Sequence, residues 1–348
     1  MNRWRIGLLG GIVSLLAIVF IISQVKDVAA LGAALAQARY VYLLPTAGLL
    51  LIGLVARAIR WRVLLGGGLP LWRAFNIMNV AYLVNGVLPL RMGEVARVYL
   101  ATRADPPVPV FQTASTIIVE RLLDLLAVAM LLAAALAAGP VPDDLRAAAA
   151  AVAPAAFIVF LGMVLLSRRR TLALRLLAAL VGRFDRAGVA GNSASGLSRL
   201  SVWFVQFLDG LLPLAQPRAL LLALGWTAVA WGFSVAAGYV LMFAFYDIAN
   251  WMATGLYIAA VAFSIALPAV PGNLGTYEGS ILLALAATGY GEPFEVAAAF
   301  ALVVHGVNLG VHVSTGIVGF IEEGISLGQL SRDVQGMGRG KVIVHDEV

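Results

Sequence analysis

Cysteine is missing altogether from the 348 residues, so disulfides, thiolate metal sites and cysteine nucleophiles are excluded. Charge is scarce as well: Asp, Glu, Lys and Arg make up 12% of the chain, about half of their share in a soluble protein. Lysine is nearly absent, with Lys26 and Lys341 set against 22 arginines. A net charge of +6 would suggest nucleic acid in a soluble domain. In so apolar a chain it reads as a topology signal and an attraction to anionic lipid heads, and no nucleic-acid partner is expected. Also missing are GxxxxGK[ST] and HExxH, and any polar segment long enough to form a nucleotide-binding or catalytic domain. These absences argue against ATP-driven transport by this chain, and no cofactor is expected.

What the chain has in abundance is apolar surface: 61% hydrophobic residues and a mean hydropathy of +0.94. Several runs approach the roughly 20 residues that cross a hydrocarbon core as a helix, and they lack the alternation of barrel strands. The expected fold class is an all-α polytopic membrane protein. Full spans are read at 5–23, 41–62, 110–138, 147–166, 219–245 and 294–320, with broken regions at 72–103 and 250–290. The first run is longer than a signal-peptide core and lacks a small-residue cleavage site, so it reads as a retained span. Residues 167–217 begin SRRR and mix leucines with Arg175, Arg183, Arg186 and Arg199, which predicts amphipathic helices on a membrane face. Placing both termini in the cytoplasm gathers most arginines on that side and leaves Lys26, Arg39 and Arg146 outside, as the positive-inside rule favours. This works only if each broken region enters and leaves by one face, as a re-entrant hairpin.

An internal repeat supports the hairpins. Sliding the chain by 182 residues lays NGVLPLRMGEVARVYLA over LPAVPGNLGTYEGSILLA and matches Pro89 with Pro271 and Gly93 with Gly275. Inverted halves with broken helices are a transporter architecture whose breaks point to the substrate site. In hydrocarbon such a break is tolerated only where it packs in protein or lines a wet cavity. In the second break, Thr276 or Asn273 is expected to cap a half-helix whose N-terminus makes an anion site. Tyr277 and Asn273 would add donors there; a packed kink without ligand is the alternative.

Charged residues at membrane depth supply the remaining candidates. Arg91, Glu94 and Arg97 follow Pro89 at three-residue spacing along one helical face, and Arg91 at the turn is suited to bidentate phosphate contact. A solvated helix end is the bland reading of that run. Glu120 and Asp124 stand at i, i+4 within a span, and Arg121 can reach Asp124. Each such charge costs about 2.5–3.5 kcal/mol on insertion, so they should face the bundle interior and find partners, with Arg91 and Arg97 as candidates. A structural clasp and a substrate or proton path are equally open. His305, Asn308 and His312 form one stripe of the last span. Two histidines seven residues apart lie about 10.5 Å apart along a helix, too far to share one metal ion, so no metal site is expected. RAIRWR at 57–62 reads mainly as interface anchoring, with a lipid-head site as the alternative.

The segments RAIRWRVLL, NGVLPLRMGEVARVYL, the ERLLD run and PAVPGNLGTYEG resemble the transmembrane half of bacterial lysylphosphatidylglycerol synthase/flippases and their standalone relatives. The resemblance covers roughly residues 5–322. It implies a single transmembrane domain over 1–322, with repeat halves at 41–138 and 219–320 and a connector at 167–217, followed by a polar cytoplasmic tail at 323–348. No aminoacyltransferase domain is recognised, so a synthase activity is not expected. What it implies is a flippase that moves a phosphate-bearing or aminoacylated lipid head between the leaflets of a bacterial or archaeal cytoplasmic membrane. Arg91, Glu94, Glu120, Asp124, Asn273 and Glu278 stand at the matching motif positions, and Asn85, Arg97, Arg121, Tyr277, His305 and Asn308 complete the candidate set. A membrane enzyme acting on a polyprenyl phosphate, hopanoid or glycolipid, with Glu120 or Asp124 as base, is the rival reading, and an accessory scaffold is a third. A homodimer and a lipid-modifying enzyme as partner are compatible with the sequence.

Overall fold

The computed structural model describes residues 3–87, 92–138, 143–169, 194–266 and 271–326, with 171, 172, 174, 175, 179, 328–330 and 332 besides. The described elements are all helical, and the protein is an all-α polytopic membrane protein. The helices are α1 (Arg3–Gln24), α2 (Val28–Gln37), α3 (Leu43–Leu64), α4 (Leu71–Val87), α5 (Met92–Thr102), α6 (Val110–Ala138) and α7 (Asp143–Arg168). After the connector come α8 (Ala194–Ala215), α9 (Pro217–Met242), α10 (Trp251–Ala266), α11 (Thr276–Ala287) and α12 (Phe294–Glu322), with a short 3₁₀ turn, Pro271–Asn273, before α11.

Helix bounds fall within a few residues of the spans read from the sequence, and α6 coincides with its span. Among the described residues, α3 with its preceding turn, α9 and α12 are plainly long and apolar enough to cross a membrane. The count of six is thus not reproduced on that criterion, and α6 shows why. It has 29 residues but carries Glu120, Arg121 and Asp124 near its middle. The first span also departs from expectation. It turns by 93° into α2 at Asp27, whose carboxylate accepts the N–H groups of Ala29 and Ala30 at 2.8 and 3.0 Å and so starts a new helix.

Both broken regions appear as two short helices around an interruption: α4 and α5, then α10 and α11. The break at 88–91 lies outside the described residues. In the second, Gly272, Asn273 and Gly275 take positive φ of 75°, 53° and 82°, a run that reverses the chain and that glycine makes cheap. The expected cap is corrected here. Thr276 Oγ1 donates to the Asn273 carbonyl at 3.0 Å, and the Gly275 N–H that opens α11 is taken by the Glu278 carboxylate at 2.7 Å.

Small residues set the spacing of the bundle, as expected where lipid offers no hydrophobic drive between helices. A Cβ on Gly319 of α12 would stand 2.8 Å from the Asn76 carbonyl of α4, and one on Gly275 would stand 2.8 Å from the Ser14 carbonyl of α1. Gly93 of α5 lies closer still on Ala81 and Asn85 of α4. The helices of each hairpin pack on each other, and the 271–273 turn of the second lies against α4 of the first. One face of α8 packs Leu208, Leu211 and Leu214 into a cluster with α6 and α7.

Candidate functional site

Arg60 is the hub of a charged network buried among α3, α5, α6 and α9. It is 1% exposed, and its guanidinium grips Asp124 with two bonds, Nη1 to Oδ1 at 2.6 Å and Nη2 to Oδ2 at 3.3 Å. Its Nε lies 3.6 Å from Glu120 Oε1, and Nη1 also donates to Thr227 Oγ1 of α9 at 3.2 Å. The i, i+4 spacing of Glu120 and Asp124 turns both carboxylates to α3, as their helical face predicts. From α5, Arg97 reaches Glu120 Oε2 at 2.6 Å while its guanidinium stacks over the Trp61 ring, 3.8 Å from the centroid. The indole of Trp61 donates to Thr116 at 3.1 Å, and that of Trp231 to Asp124 Oδ1 at 3.0 Å. A more open pair, Arg121 with Glu94 at 2.7 Å, joins α6 to α5.

Two sequence expectations change. Arg121 goes to Glu94, and Asp124 takes Arg60. The RAIRWR segment is not mainly an interface anchor, because Arg60 and Trp61 are both buried and belong to the network. The signal was present: carboxylates at depth demand cationic partners, and Arg57 and Arg60 share a face of α3 at i, i+3. Arg57 donates to Ser234 Oγ at 3.4 Å and lies over the Trp231 ring at 5.3 Å.

The balance of donors is the chemically telling feature. Glu94, Glu120 and Asp124 are all engaged by arginine. On the other side, three buried guanidinium nitrogens, Nε and Nη2 of Arg97 and Nε of Arg60, have no hydrogen-bond partner against one carboxylate oxygen, Oε1 of Glu120, and Arg57 pairs with no carboxylate among the described residues. Four guanidiniums (Arg57, Arg60, Arg97, Arg121) thus face three carboxylates. A buried donor without a partner costs about 1–3 kcal/mol or more, and an added acceptor would relieve it.

The second hairpin carries a separate constellation. His305 Nδ1 of α12 lies 2.7 Å from Glu278 Oε1, and the Tyr277 ring stacks on the imidazole at 4.2 Å. Glu278 therefore caps its own helix with one oxygen and meets His305 with the other. Asn308 donates to the Val304 carbonyl of its own helix at 2.9 Å, and the His312 ring lies 5.3 Å from that of Tyr82. Asn85 accepts the Gly93 N–H at 2.8 Å, closing the first hairpin on itself. Asn79, which the sequence reading passed over, accepts from Thr315 at 2.9 Å and ties α4 to α12. Arg91 lies outside the described residues. No group of residues suited to a metal ion occurs among the described residues.

The family model described as the lysylphosphatidylglycerol synthase TM region matches residues 7–316, a range that includes the network and both hairpins. No curated protein and no solved structure matches the chain.

Proposed function

Since the chain belongs to the family of lysylphosphatidylglycerol synthase transmembrane regions, we propose that it moves a phosphate-bearing lipid head between the membrane leaflets through a polar path beside the arginine network. The observation that carries this reading is the donor surplus: two unpartnered nitrogens on buried Arg97 and a guanidinium on Arg57 without a carboxylate. Arginine forks match phosphate oxygens bidentately. The lipid tails would stay in the bilayer while the head passes the cluster. In this account the two hairpins are inverted halves of a transporter in a bacterial or archaeal cytoplasmic membrane, with both termini inside. Arg91 and Asn273, which the internal repeat matches, would add a guanidinium and an amide to the same path.

Support for transport over group transfer comes from the carboxylates. A transferase would need Glu120 or Asp124 as base, and both are held by Arg60, which leaves neither free. The test is exchange of a fluorescent phosphatidylglycerol head between leaflets of proteoliposomes. Wild type should accelerate it over empty vesicles, and Arg97→Gln or Arg91→Ala should slow it about tenfold, the equivalent of one charge-assisted hydrogen bond. Exchange no faster than in empty vesicles would overturn the proposal, as would undiminished exchange in both variants.

A further inference from the structure

Between α3, α4 and α12 lies an open-sided cavity of about 540 Å³, within the range of about 300–1,000 Å³ that holds ligands. Its walls are Leu51, Ile52 and Val55 of α3, Trp72 and Phe75 of α4, and Val318 of α12. Ser314 and Thr315 complete the lining, yet both hydroxyls are spent within the protein. Ser314 donates to the Gly310 carbonyl at 2.8 Å, and Thr315 Oγ1 lies 2.8 Å from the Val311 carbonyl and 2.9 Å from Asn79 Oδ1. The wall is therefore almost entirely carbon. It offers nothing to water or a polar head group, and hydrocarbon gives up no hydrogen bond by resting there.

The groove also has a direction. Along α3 the apolar wall is Leu51, Ile52 and Val55, while Arg57 and Arg60 turn to the opposite face, toward α9 and α6. A short turn from Leu64 to Leu71 returns the chain into α4, which sets Trp72 in the groove wall with Arg73 next to it. Trp72 is 56% exposed, and Arg73 pairs with Glu323 at 3.3 Å. An exposed tryptophan with charged neighbours marks the level of lipid head groups. Apolar at depth and charged at one end, the groove has the polarity of a single lipid.

We infer that this groove seats one acyl chain of a bilayer phospholipid whose head lies at the level of Trp72 and Arg73, so that the lipid enters sideways between α3 and α12. The inference rests on the lipid-transport reading. Its test uses the full chain in nanodiscs containing phosphatidylglycerol with a photoactivatable diazirine in one acyl chain, with adducts mapped by peptide mass spectrometry. Adducts should concentrate on Leu51–Val55 and around Val318. Val318→Trp and Val55→Trp, which fill the groove, should cut them at least tenfold. Leu221→Trp on the open face of α9, where Leu221 is 68% exposed, should leave them unchanged. Val318 is itself 43% exposed, so its replacement tests the groove even if Val55→Trp does not fold. Equal labelling of all outward helix faces, or labelling undiminished by Val318→Trp, would each overturn the inference. Labelling needs no turnover. A protein that labels in the groove but does not exchange head groups breaks the transport reading and spares the groove, whereas uniform labelling with normal exchange breaks the groove alone.

Discussion

The two hairpins share a plan and differ in chemistry. Each is a helix, an interruption and a second helix, and each places a glycine, Gly93 or Gly275, in backbone contact just after its break. The first exports its charges: Glu94 and Arg97 both leave α5 to pair with α6. The second keeps its one carboxylate at home, since Glu278 binds the N-terminus of its own helix and the neighbouring His305. The pairs of the first join α5 and α6 and leave guanidinium donors over. Those of the second saturate themselves and hold a turn in shape. A site for a charged ligand is therefore sought beside the first hairpin, while the second supplies a defined wall.

The comparison can be broken first at Arg60. Arg60→Leu strands Asp124 and leaves Glu120 with Arg97 alone, and removing one partner of a buried pair costs about 3–5 kcal/mol. Thermal unfolding in detergent should show that loss, and the double change Arg60→Leu with Asp124→Leu should recover most of it. A smaller loss is expected in the second hairpin. Glu278→Leu removes a cap worth about 1 kcal/mol and orphans a buried imidazole at about 1–3 kcal/mol. If it proves costlier than Arg60→Leu, the second hairpin and not the network is the main brace. The smallest effect belongs to Glu94→Gln, because Glu94 and Arg121 keep side-chain exposures of 32% and 45%. Such pairs contribute about 0–1 kcal/mol, and a larger stability loss would mean that this pair acts as part of the buried cluster.

Much of this was legible before the structure because membrane segments announce themselves. Apolar length located α3, α6, α9 and α12, and the Pro/Gly interruptions located both hairpins. Glu120, Asp124 and Arg97 stood out because charge at depth is costly. What stayed hidden were pairings between distant segments. Arg60 and Asp124 are 64 positions apart, and nothing local says that α3 packs against α6 with those faces together. Arg60 also sits among end-of-helix arginines, which usually anchor at the interface, and that resemblance concealed it. Glu278 and His305 were each visible as polar residues on apolar helices, but their meeting depends on how α11 packs on α12.

The central claim is that surplus arginine, not carboxylate, meets the ligand. Arg57 tests it most directly, since it holds no carboxylate among the described residues and its loss strands no buried anion. In proteoliposomes, Arg57→Gln should lower leaflet exchange of a fluorescent phosphatidylglycerol about tenfold while the thermal unfolding temperature stays at the wild-type value. Exchange at the wild-type rate in that variant would contradict the account.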